Sequence, residues 1–288
     1  MTDQALSVQA TARTAPWTGA GALFAGLAAL LAWSMSNAVA SMAETWWTNV
    51  TYNHGMLVPA ISLYLIWAGR EMLRLHPPRP EPRALVLLLG AVGLWLLGRA
   101  AEAQVVEQGA FVTALIALAI LVFGRRFARA AWFPLGFLVF MVPAGDALVE
   151  PLQDFTAAFS VALLRLVGIP TYVEGVLIYI PSGAFEVAEA CAGLRFLIAN
   201  VVVAALFAYL VYERTWKRAL FLLIGVALPI LANGLRAFGI MALAHATDHA
   251  VAAGADHIVY GWGFFSLVMV ALLWIGNRFA DRPLGLPA

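Results

Sequence analysis

The sequence is poor in cysteine and poor in charge. One cysteine in 288 residues excludes an intramolecular disulfide and a thiolate zinc cage. Charged residues make up 11% of the chain, against about a quarter in ordinary soluble domains, so a water-soluble globule could not cover its own surface. Disorder is excluded by the opposite property, because disordered chains lack apolar residues and this one is 63% hydrophobic. A formal net charge of +1 with no extended basic cluster argues against a nucleic-acid partner. What is abundant is apolar sequence, and the class it leaves is a polytopic membrane protein with the lipid bilayer as its first partner.

A spanning helix needs about 20 mostly apolar residues. Eight stretches approach this: residues 17–36, 55–69, 84–99, 109–124, 131–145, 191–212, 218–242 and 258–276. None alternates polar and apolar as barrel strands do. The expected fold class is therefore an all-α polytopic membrane protein with about eight transmembrane helices, forming one integral-membrane domain over residues 1–288. With a cytoplasmic N-terminus, the inner side receives Arg13, the arginines between 70 and 83 and between 125 and 129, the Arg214–Lys217–Arg218 group, Arg278 and Arg282. That is 13 of 17 basic residues, a positive-inside bias that predicts cytoplasmic termini. Ala38-Val39-Ala40 is similar to a signal-peptidase site, but the apolar stretch before it is long and its lead barely basic. The first span is expected to stay as an anchor.

One long segment, residues 146–190, does not read as a span. In its first half Leu148, Leu152, Phe155, Phe159, Leu163 and Leu166 recur at helical spacing, with Glu150 and Asp154 off that stripe. This predicts an amphipathic helix lying in the outer interface with the stripe in the acyl boundary. Its second half, residues 171–187, sets short β-branched and aromatic runs around Glu174-Gly175 and Pro181-Ser182-Gly183. A small strand-and-turn element is expected there.

In so apolar a chain the informative residues are polar ones inside spans. Arg236 sits in the seventh span with Asn233 one turn earlier on the same face. An acid that merely locks two helices could account for such an arginine. Cys191 opens the sixth span at its outer end, with Arg195 at i+4 and Gly193 between them. A lone membrane cysteine is ordinarily a small packed hydrophobe, but a positive neighbour is what makes a cysteine reactive. Of the histidines, His76 falls in a cytoplasmic turn, while His54, His245, His249 and His257 fall on the outer side, His257 beside Asp256. His245 and His249 at i, i+4 could chelate zinc, yet no further ligand stands at a motif spacing, so no metal and no other cofactor is expected. A cysteine, two arginines and a histidine thus gather toward the outer ends of three spans. Cysteine plus a base is the pattern for thiolate attack on a carbonyl, with a guanidinium to stabilise the oxyanion. A guanidinium holds its proton too tightly for a good shuttle, so Arg236 is assigned to charge stabilisation.

Four blocks carry a resemblance to a known family. Glu189-Ala190-Cys191-Ala192-Gly193-Leu194-Arg195 resembles the E-x-C-[SA]-G-[LI]-R signature of the exosortase/archaeosortase family. Asn233-Gly234-Leu235-Arg236 resembles its N-x-x-R motif, and Asp256-His257-Ile258-Val259-Tyr260-Gly261-Trp262 its histidine-bearing third block. His54-Gly55-Met56-Leu57-Val58-Pro59 is similar to an N-terminal pattern of the family. The blocks run in family order, most like the exosortase A type, though without the extra C-terminal soluble domain many of those carry. The resemblance implies a membrane cysteine transpeptidase in a bacterial inner membrane, with its active site on the periplasmic side. Its substrates would be exported proteins bearing PEP-CTERM tails (a Pro-Glu-Pro motif, a transmembrane helix and a basic end), in systems linked to exopolysaccharide or surface attachment. By that likeness Cys191 is the nucleophile forming an acyl-thioester, Arg236 the catalytic arginine, often cast as proton donor, and His257 the third member, as base or transition-state stabiliser. Arg195, Asn233 and Glu189 belong to the supporting motif positions, and the acyl acceptor is unknown. Two rival readings are a multipass permease or structural subunit of a polysaccharide-export system, and a membrane acyl- or glycosyl-transferase. The first would place polar groups near the bilayer midplane, and the second would not need Cys191.

Overall fold

The computed structural model describes residues 2–74, 77–247 and 257–282. They fall into two compact units, one up to Ala144 and one from Gly145 onward.

In the first unit α1 (Thr2–Ser34) and α2 (Ser36–Thr48) precede a 3-10 turn at Asn53–Met56. α3 (Leu57–Ala68) and α4 (Arg70–Arg74) follow it. α5 (Ala84–Ala100) and α6 (Gln104–Phe123) form a hairpin, and α7 (Arg125–Ala130) and α8 (Trp132–Phe137) complete the unit. The hairpin closes tightly because Gly98 has no side chain; a Cβ there would lie 3.1 Å from that of Val106. Arg99 and Glu107 pair across it at 3.8 Å. Buried Gln108 donates to the Ser41 hydroxyl at 2.9 Å, tying α6 to α2.

The second unit contains α9 (Val149–Leu166), three short strands, α10 (Leu194–Val211), α11 (Thr215–Ala246) and α12 (His257–Arg278). Phe207, Tyr212, Phe221 and Leu272 build one core among the last three helices. The Tyr212 hydroxyl donates to the Gly276 carbonyl at 2.7 Å, fixing the end of α10 to α12. β1 (Tyr172–Glu174), β2 (Leu177–Ile180) and β3 (Gly183–Glu186) form an antiparallel sheet in chain order. Gly175, at φ +62°, makes the first turn, the left-handed geometry a two-residue hairpin needs. The sheet has one apolar face: Ile178 and Ile180 are buried with Val161 and Leu164 of α9 and Met241 of α11. The strand-and-turn element expected at 171–187 is therefore present.

The all-α membrane class holds, but the count of spans falls from eight to about six. Among the described residues six helices are long and apolar enough to cross a membrane: Trp17–Ser34, Gln104–Phe123, Asp146–Leu166, Glu189–Val211, Thr215–Ala246 and Gly261–Arg278. Three expected spans are shorter. α5 has 17 residues, and α3 has 12 and ends at Gly69. The stretch 131–145 breaks into α8 and a 3-10 turn at Leu138–Met141, with Pro143 two residues beyond, which cannot continue a helix. Conversely, α9 is among the six rather than a plain interfacial helix.

The face of α9 also differs from the expectation. Leu152, Thr156, Ala157, Ser160, Val161 and Leu164 are buried, whereas Leu148, Phe155 and Leu166 of the apolar stripe are exposed. Among lipid there is no hydrophobic drive to bury large side chains against protein. Helices approach through small and hydroxyl-bearing residues instead, and Ser160 donates to the Gly234 carbonyl of α11 at 3.1 Å. Leu152 packs in one cluster with Ile230, and Val161 in another with Met241. Hence α9 runs alongside the second half of α11 in the same direction.

Candidate active site

The cysteine is delivered by a turn rather than by the helix that follows it. Ala188 is extended, Glu189–Cys191 make one 3-10 turn, and the Cys191 N–H donates to the Ala188 carbonyl at 2.8 Å. Gly193 then takes φ +81°, and its carbonyl accepts the first amide bonds of α10. Two constraints require glycine here. A side chain is disfavoured at that φ, and a Cβ would lie 2.7 Å from Cγ of Asn233. The glycine thus brings the turn against α11.

Asn233, 1% exposed, is the hub. Its Nδ2 donates to the Cys191 carbonyl at 2.8 Å and to the Thr156 hydroxyl of α9 at 3.1 Å. Its Oδ1 accepts from Arg236 Nη2 at 3.3 Å. Three elements (the cysteine turn, α9 and α11) are joined through one amide.

Arg236 lies one turn further along α11, 7% exposed, and its guanidinium interacts electrostatically with the Cys191 side chain. On its other side is α12. Cζ stands 5.8 Å from the ring centroid of Phe265, and Nη1 would meet a Cβ on Gly261 at 3.6 Å. Phe265 is in turn stacked on Phe196 of α10, centroids 3.6 Å apart. Among the described residues no carboxylate pairs with Arg236, and its Nε has no partner. The helix-lock reading, which needs an acid, finds none among the described residues. Its partners are an amide and a thiol.

The remaining expected residues divide as follows. Arg195, half-buried in the first turn of α10, makes no hydrogen bond or ion pair among the described residues. Glu189 is exposed; its carbonyl accepts from Ala192 N–H at 3.1 Å. His257 is the first residue of α12, one turn or about 6 Å along the axis before Gly261. Its side chain, Asp256, His249 and His76 lie outside the described residues. His245 is in the last turn of α11, and among the described residues no three His, Cys, Asp or Glu are grouped to hold a metal. His54 belongs to the first unit, its ring centroid 6.5 Å from that of Tyr52; burial holds its pKa below the ordinary imidazole value. Sequence reasoning missed Thr156 and Phe265. A small, hydroxyl-bearing stripe on α9 (Thr156, Ala157, Ser160) was the signal that could have found the first.

The chain matches the transmembrane exosortase family (Exosortase_EpsH) over residues 46–274. No curated protein and no solved structure matches it. The match covers the cysteine turn, α11 and most of α12, and carries with it a membrane transpeptidase role in general terms. A membrane-embedded thiol against a buried arginine, inside a match spanning most of the sequence, leads to one conclusion: the chain belongs to the transmembrane exosortase family.

Proposed function

We propose that this protein cleaves C-terminal PEP-CTERM tails of exported proteins through an acyl-thioester on Cys191 and passes the acyl group to an acceptor. The observation that carries the reading is the Asn233 amide bridging the Cys191 turn and the Arg236 guanidinium, which interacts electrostatically with the Cys191 side chain. A guanidinium against sulfur supports thiolate attack.

In the proposed reaction the Cys191 thiol gives its proton to His257, and the resulting thiolate attacks the scissile carbonyl carbon. A C–S bond forms and the carbonyl oxygen becomes an oxyanion, which Arg236 stabilises. Collapse breaks the C–N bond, and the tail leaves as an amine carrying a proton supplied by His257, the general acid. The acceptor's nucleophile then attacks the thioester, His257 takes its proton, and the thiolate is released. Arg195 and Glu189 flank the nucleophile as contacts for the bound segment. The sheet supports a further element of this reading. β3 ends five residues before Cys191, and its outer edge pairs with no strand among the described residues. An extended peptide can add to such an edge by main-chain hydrogen bonds.

Under this reading the termini are cytoplasmic and the site faces the periplasm of a bacterial inner membrane, where an exported tail presents its motif. The test is co-expression with a tagged tail-bearing protein. Tail removal should be complete with the wild type and absent with Cys191→Ala at equal membrane abundance. Removal by Cys191→Ala would overturn the mechanism, and unaltered processing after deletion of residues 171–182 would remove the role given to the sheet.

A further inference from the structure

The first unit contains a cavity of about 600 Å³, within the range of small-molecule sites, that the chemistry above does not use. It is lined almost wholly by apolar side chains, Phe24, Leu73, Phe127 and Leu135 among them, with Ser62 of α3 along one wall. At one end are Trp17 and Arg70. From Pro59 to Trp67, both on α3 and both lining the cavity, is eight residues, about 12 Å along a helix, so the space is long enough for part of an extended hydrocarbon chain.

The chemistry at the Arg70 end is different. The Arg70 guanidinium lies 4.2 Å from the ring centroid of Trp67, and paired tryptophan and arginine are the usual furniture of a membrane–water boundary. Nη1 donates to the Trp67 carbonyl at 3.0 Å, and Glu71, 72% exposed, lies 3.7 Å from Nε. The indole N–H of Trp17 is buried and has no acceptor among the described residues. α7 adds a cationic face at this end: Phe127 lines the cavity while Arg125, Arg126 and Arg129 are exposed. Of these, Arg125 is paired, at 3.9 Å, with Glu81. A molecule suited to the whole site carries a hydrocarbon chain, acceptor oxygens where that chain begins and a negative group above them.

We propose that this cavity binds one anionic phospholipid, with an acyl chain between α1 and α3 and its phosphate drawn to Arg70 and the arginines of α7. The test uses the full chain in detergent, mixed with dioleoyl phosphatidylglycerol or dioleoyl phosphatidylcholine, washed and weighed by native mass spectrometry. One phosphatidylglycerol per chain should survive washing that removes phosphatidylcholine. Arg70→Gln, at the half-exposed rim, should weaken the preference for phosphatidylglycerol about fivefold, one basic residue's share at an anionic surface. Ser62→Phe should block retention of both lipids. Equal retention of the two lipids by the wild type would overturn the proposal, as would an unchanged preference in Arg70→Gln. Should Ser62→Phe fail to accumulate, the rim variant decides alone.

Discussion

Removing the Asn233 amide is the most informative single change, because three bonds converge on it. Asn233→Ala deprives the Cys191 carbonyl and the Thr156 hydroxyl of a donor, and one Arg236 N–H of its acceptor, in a site where Asn233 is 1% exposed. The guanidinium bond is the catalytic component. Hydrogen bonds to charged groups contribute about 1.5–3 kcal/mol, and each 1.4 kcal/mol is about tenfold, so tail cleavage should fall roughly 10- to 150-fold. Thr156→Val separates positioning from packing. It removes one neutral bond, about 1 kcal/mol, but leaves the Asn233 contacts with Cys191 and Arg236 in place. It should therefore lower melting temperature with little effect on rate. The assay is tail release against time for each variant in membranes, paired with thermal melting in detergent. A folded Asn233→Ala enzyme working at wild-type rate would refute the claim that this amide aims the arginine. A Thr156→Val enzyme slower than Asn233→Ala would refute the division of roles.

Three further outcomes follow from the same geometry. Gly193→Ala should destabilise the second unit by at least about 1–2 kcal/mol, the cost of a left-handed alanine, plus the displacement of Asn233, read as a lowered melting temperature. Arg236→Lys should be severely impaired in tail release because a compact ammonium lacks the planar fork that reaches both Asn233 and the thiol. His54 predicts a pH dependence: burial lowers its pKa in the folded chain from 6.5, so below that pH the unfolded chain takes up the proton first. Stability should be full above pH 6.5 and fall as the pH drops through and below it, and His54→Gln should flatten the melting-temperature profile.

The site was more legible in the sequence than the bundle around it. Arg236 and Cys191 stood out because polar residues are expensive in apolar helices, and the structure joins them through Asn233. The strands were legible because β-branched residues bracket Gly175, and Gly175 does make the turn. Span counting failed where hydropathy carries no information about helix continuity, at Gly69 and through 131–145. The face of α9 was misread because the Leu/Phe stripe followed the rule for water-soluble proteins. In a membrane the close contacts fall to Thr156, Ala157 and Ser160. Thr156 stayed hidden for the same reason: its partner, the Asn233 amide, is 77 residues away, a pairing only the packing of α9 on α11 creates.

The electrostatic interaction between the Arg236 guanidinium and the Cys191 side chain underlies all of this, and the alkylation rate of Cys191, the only thiol in the chain, reads it without any substrate. Iodoacetamide at neutral pH should modify Cys191 at least about tenfold faster in the wild type than in a folded Arg236→Gln variant, the share of one charge-assisted bond. Equal rates in the two proteins would mean that the arginine does not act on the sulfur.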